Sequence, residues 1–193
     1  KAKSSESYQN FLYFYMFLLS QPISFDFLGV LVAVLGIGVL SAIVFFRSKN
    51  SITSRSFFFF SFVTIFWGIS NYFLYKFSDP AESLLALRLH IFLSIWHAYA
   101  FFQLAYVFPQ SDKSLPLWHR YFLLPLAFFS STLLLIPFVF TQVSNLISVD
   151  DIINPEKSQG ILLAGIVTFS FFLAGISVLF KRIGDSKGDE RRQ

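Results

Sequence analysis

Five apolar stretches, each about as long as a bilayer is thick, occupy most of this 193-residue chain. They run from Phe25 to Phe46, Ser56 to Phe77, Leu84 to Phe108, Leu117 to Thr141 and Gly160 to Phe180, and ~20 helical residues suffice to cross the hydrocarbon core. The chain therefore reads as an all-α, polytopic transmembrane helix bundle of five spans, preceded by a short N-terminal interfacial helix. Three regions follow: residues 1–24 as an external or interfacial segment, 25–180 as the bundle, and 181–193 as a basic cytoplasmic connection.

Composition excludes the competing classes. Hydrophobic residues make up 55% of the chain and charged ones 13%, against about 25% charged in soluble domains. A soluble helical protein would show charged faces opposite its apolar stripes, and Phe57 to Phe66 and Leu123 to Phe140 have none. Barrel strands would be ~10 residues of alternating polarity, a pattern not visible here. The formal charge of +4 is small and scattered, with no basic stripe for nucleic acid. With no cysteine, disulfides and thiolate chemistry are excluded, while the redox compartment stays open.

Basic residues set the expected topology. Arg47, Lys49 and Arg55 crowd the first connection, Lys113, His119 and Arg120 the third, and Lys181, Arg182, Lys187, Arg191 and Arg192 follow the last span. The bias of Lys and Arg toward cytoplasmic loops places these segments inside. The connections around Asp79 and Glu82, and from Gln142 to Gln159, are then external, as is the N-terminus. Residues 8–23 are too short for an ordinary crossing and are read as an aromatic helix at the outer interface. The alternative is a further crossing or signal-like segment, which would move the start of the chain inside. Residue 1 is Lys rather than Met, so a fragment or processed product is expected.

Polar residues inside the spans mark the candidate site. Ser61, Thr64, Gly68, Asn71 and Tyr75 recur at helical spacing on the second span, and His90, Ser94 and His97 on the third. The two stripes are expected to face one another, with Asn71 and His90 at similar depth and His97 near the midplane. Arg88, one turn inside the third span, anchors at the headgroups or meets Glu82 or Asp79. Thr64, Asn71, Arg88, His90, Ser94 and His97 form the candidate sensing face. The plain reading of both histidines is structural, since an imidazole can donate and accept across a helix interface. The sharper reading is sensing of a proton or small ligand there. Histidines seven apart lie about two turns apart and do not chelate one ion.

No cofactor, metal site or catalytic residue is expected. GVLVAVLGIGVL lacks both the glycine spacing and the strand-turn-helix setting of a nucleotide fingerprint. Trp67 and Trp96 read as packing residues. Small residues at Gly29, Ala33 and Gly36, and at Gly160, Ala164, Gly165, Ala174 and Gly175, permit close helix contact within the bundle or between protomers.

The run from Asn50 to Pro109 resembles the N-terminal seven-helix membrane region of certain bacterial histidine kinases and related signalling proteins. The resembling residues are SRSFFFFSFVTIFWGISNYFLY, with Trp67 inside the second span, and LRLHIFLSIWHAYAFFQLAYVFPQ, with Arg88 early and Phe108-Pro109 at its end. The resemblance implies a sensory or anchoring module in the bacterial cytoplasmic membrane, which passes an external or intramembrane signal to a cytoplasmic output. It also implies two further helices and kinase domains that this chain lacks, so the chain is a fragment or signals only with another segment. Expected partners are membrane lipid, those missing segments, an unknown small ligand and a second copy in a homodimer, but not nucleic acid. The rival classes are a small-solute or ion transporter, for which a wet passage would discriminate, and a structural subunit of a membrane complex.

Overall fold

Ser51 and Asp79 decide where two of the helices begin. In the computed structural model, which describes residues 25–77, 79–108, 115–136 and 159–190, five α-helices are seen: α1 (Phe25–Arg47), α2 (Ile52–Leu74), α3 (Pro80–Val107), α4 (Leu124–Leu135) and α5 (Gln159–Glu190). No strand occurs among the described residues. Ser51 takes an extended backbone and its hydroxyl accepts from the Ser54 N–H, which starts α2 at Ile52 rather than Ser56. Asp79 Oδ2 accepts from the N–H groups of Ala81 and Glu82 at 3.0 and 3.1 Å. Pro80 supplies the first helical position, where its missing N–H costs nothing. Hence α3 starts at Pro80 rather than Leu84.

Four of the five helices are long and apolar enough to cross a membrane: Phe27–Arg47, Ile52–Leu74, Ala81–Val107 and Ile161–Lys181. The chain is a multi-pass, membrane-embedded helix bundle. The fourth expected span differs in detail from the run Leu117 to Thr141. It is helical from Leu117 to Leu135, but His119–Leu123 form a π-helical turn, in which the Leu124 N–H reaches back to the His119 carbonyl. Pro125 explains that turn: it has no N–H for the fourth carbonyl back, and its ring crowds that carbonyl, so the preceding bonds lengthen by one residue. At the far end Ile136 is extended (φ −76°, ψ 130°), as the residue before a proline prefers to be, so this helix ends at Leu135; residues 137–141 of the expected span lie outside the described residues.

α5 also departs from expectation, continuing helical from the span through Lys181 to Glu190. Its 32 residues cover ~48 Å, whereas the hydrocarbon core needs ~30 Å. The expected connection beginning at residue 181 is thus helical backbone as far as Glu190. The interfacial helix expected at residues 8–23, the loop from Gln142 to Ser158 and Lys113 lie outside the described residues.

α3 is the hub. It packs against α2, α4 and α5, whereas α1 touches only α2 among the described helices. Its Ile95, Ala98 and Ala100 have no exposed surface. Arg47, Lys49, Arg55, Arg120 and Lys181 share one end of the bundle, the basic end, and Asp79 and Glu82 the other. α3 and α5 run in the same direction, and α5 closes on α3 at Gly175. A Cβ there would lie 2.8 Å from the Phe101 ring and 3.3 Å from the Phe102 backbone. Gly175→Val is therefore expected to cost ~1–3 kcal/mol in a reversible unfolding measurement in bilayers or micelles. Gly165→Val, where an added Cβ meets nothing within 4 Å, is expected to change stability by less than ~0.5 kcal/mol.

Candidate functional site

The α2–α3 contact is a polar and aromatic seam whose links descend in step. Towards the Asp79 end, Ser70 Oγ donates to the Trp67 carbonyl at 2.8 Å and lies 3.1 Å from His90 Nδ1. A hydroxyl has one proton, so that geometry makes Nδ1 the donor to Ser70 and leaves the neutral ring's Nε2 as acceptor. One turn further in, Trp67 Nε1 donates to Ser94 Oγ at 2.9 Å, and Ser94 Oγ donates to the His90 carbonyl at 2.9 Å. Near the basic end Gln103 Nε2 donates to Ser56 Oγ at 3.1 Å, and Thr53 Oγ1 to the Val107 carbonyl at 3.4 Å. Each step down α2 is matched by a step along α3, as one antiparallel register requires.

His97 sits in the middle of the seam. Its ring stacks on Phe60 and on Trp67, each with centroids 5.1 Å apart and planes within 16°. Phe172 of α5 meets it edge-on at 5.8 Å. Its Nε2 is buried without a hydrogen-bond partner. A buried polar atom left unpaired costs ~1–3 kcal/mol, so the three rings around His97 hold an imidazole that packing alone would not select.

Of the six predicted site residues, His90, Ser94 and His97 lie on the seam as expected. Thr64 does not bridge the helices, since its hydroxyl donates to the Phe60 carbonyl of its own helix at 2.7 Å. Asn71 is half-buried and makes no hydrogen bond across the seam among the described residues. Arg88 is half-buried on α3, between the Asp79 cap and His90.

The stripe on α2 that meets α3 includes Ser56, Phe60, Trp67 and Ser70, of which Phe60, Trp67 and Ser70 stand one residue back from the predicted Ser61, Gly68 and Asn71. One residue is ~100° of helix rotation. The reason is that α2 serves two neighbours. Phe58, Ile65 and Tyr72 face α1, where they meet Phe45, Gly38 and Phe27, and the polar set straddles the boundary between the two faces. The small stripe predicted on α1 is also turned: Gly29 and Gly36 have nothing within 4 Å of an added Cβ, and Gly38 is the glycine beside α2.

Two features were missed. Trp96 Nε1 donates to Ser131 Oγ at 3.1 Å, and Ser131 Oγ donates to the Phe128 carbonyl at 3.0 Å. This repeats on α3–α4 the Trp-to-Ser linkage of the seam. His119, counted with the charges of a connection, is 2% exposed, stacked on Phe102 at 6.2 Å and near Tyr99 at 5.3 Å. Its Nε2 is also unpartnered. The available signal was Pro125 six residues on, which forces the turn that carries His119 inward. Among the described residues no three His, Asp or Glu side chains gather as a metal site.

Fold and seam together define a multi-pass, all-α membrane protein with a buried polar and aromatic contact between its second and third helices. No protein-family model, curated protein or solved structure matches the chain. The Trp67–Ser94 link is open to direct measurement. A double-mutant cycle of Trp67→Phe and Ser94→Ala, read by unfolding in micelles, is expected to give a coupling of ~0.6 kcal/mol and no more than ~1.7 kcal/mol. Strict additivity would mean that the indole N–H gains nothing from the serine.

Proposed function

We propose that this chain is the membrane input module of a signalling protein, in which the α2–α3 seam receives a stimulus and α5 carries it out of the membrane. The observation that carries this reading is the edge-on contact between His97 and Phe172. It ties the middle of the seam to a helix that continues unbroken to Glu190. A change at His97, whether from a proton, a polar ligand or water entering beside Nε2, alters the packing of Phe172 and so the position of α5. A bias of a few kcal/mol between two helix arrangements suffices to change output. In this reading the basic end is cytoplasmic, the membrane is the bacterial cytoplasmic membrane, and the chain itself performs no catalysis. The loose resemblance of Asn50 to Pro109 to the membrane region of histidine kinases supports the same assignment.

A second reading rests on α1. Its Gly29, Ala33 and Gly36 are all exposed, and they form the kind of small surface on which membrane helices associate. A subunit buried against another membrane protein would use it.

The test is the full open reading frame and the activity of its product. Downstream kinase or other signalling domains are expected, and in proteoliposomes His97→Leu should change their output by at least about fivefold at unchanged expression. A downstream sequence without any output domain contradicts the proposal, as does an output indifferent to His97→Leu and Phe172→Ala alike.

A further inference from the structure

The basic end of α4 is moored to the bundle by side-chain rings. Among the described elements, the backbone of the π turn comes close to none but its own continuation, α4. Contact with α3 is made by Trp118 and His119. Trp118 meets Tyr106 edge to face, with centroids 5.9 Å apart, and Phe102 at 6.5 Å. His119 stacks on Phe102 with planes within 12° and lies 5.3 Å from Tyr99. Trp118 is 48% exposed and His119 only 2%, so the imidazole is the group that enters the bundle. Further along, the Trp96 to Ser131 hydrogen bond fixes α4 separately. Between the two attachments lies the π turn, whose regular bonding Pro125 interrupts for want of an N–H. A helix pinned along its body, irregular next to that and held by two rings at its end has its freedom of movement at that end.

We propose that His119 is an acid-released latch: its neutral ring closes the π turn onto α3, and protonation frees it. Nε2 is buried and makes no hydrogen bond among the described residues. Protonation turns both ring nitrogens into donors and adds a charge, which an aromatic box without a counter-ion does not accommodate. From α3 the box presents Tyr99, whose phenol is neutral wherever an imidazole titrates, and Phe102. Behind those rings α5 presents Phe171, and α4 has no charged residue from Leu124 to Leu135. Asp79 and Glu82 stand at the other end of α3. The neighbouring charge is Arg120, exposed and of the same sign as an imidazolium. Water is one residue away, since Arg120 and Tyr121 are both exposed. The closed turn thus excludes the proton and the open turn takes it. By linkage the closed form is favoured at neutral and alkaline pH and lost as the pH falls.

The latch does not depend on the signalling reading. It is tested by double electron–electron resonance on the whole protein in lipid nanodiscs, with spin labels at Ser48→Cys and Tyr121→Cys. Both positions are exposed, in a chain without native cysteine. A second, opened distance is expected to grow about tenfold relative to the first between roughly pH 7.5 and roughly pH 5.5, as follows for an imidazole that titrates near 6.5 only once released. His119→Phe keeps a stacked ring and removes the titration, and should hold the first distance at both pH values. An unchanged distance across that range in the protein with His119 intact overturns the proposal, whether or not the variant folds. So does a pH response that survives His119→Phe.

Discussion

Hydrocarbon offers no hydrogen bonds, and the arrangement of this bundle follows from how its polar side chains meet that constraint. A hydroxyl, indole or imidazole on a spanning helix finds a partner in its own helix, finds one across an interface, or stays unpaired at a cost. Thr64, Ser170 and Ser177 take the first course, each donating to a carbonyl one turn back. Trp67, Trp96, Gln103 and His90 cannot, because their polar atoms project too far from the backbone, and they fix the seams. The α2–α3 register is therefore set by four polar links rather than by apolar bulk, which would tolerate sliding.

The aromatic residues then fill what the polar links define. Phe60 and Trp67 close on His97 from both sides, and Phe172 and Phe101 bring α5 against the same region. Each aromatic pair adds about 0.5–1.5 kcal/mol beyond area burial, which matters where apolar burial against lipid adds little. Gly175 lets this happen by removing the side chain that would hold α5 away from Phe101. The unpaired Nε2 of His97 is the exception among the buried polar atoms of the seam.

Much of this was legible in the sequence, because length and hydropathy alone specify membrane helices. The α3 face with His90, Ser94 and His97 was also visible, since α3 is a hub and its polar residues had little choice but to face a neighbour. The corresponding face of α2 was read one residue out of place. Polarity singled out Ser61, Thr64, Gly68 and Asn71, whereas the residues that bind α3 include Phe60 and Trp67, whose chemistry looks merely apolar in a list of letters. Helix ends shifted for local reasons: Ser51 and Asp79 capped earlier than hydropathy suggested, and Ile136, extended before a proline, ends α4 at Leu135. His119 stands in a basic neighbourhood that suggests a connection, whereas Pro125 shapes the preceding turn that carries it inward.

The central claim, one fixed antiparallel register between α2 and α3, can be tested directly because the chain contains no cysteine. Oxidative cross-linking in native membranes of the pairs Ser56→Cys with Gln103→Cys and Ser70→Cys with His90→Cys is predicted to be efficient for both. The pair Gly68→Cys with Ser94→Cys, which belongs to the rotated face, is predicted to remain reduced. Efficient cross-linking of Gly68→Cys, with failure of the Ser56 and Ser70 pairs, would place α2 in the other rotation and contradict the account.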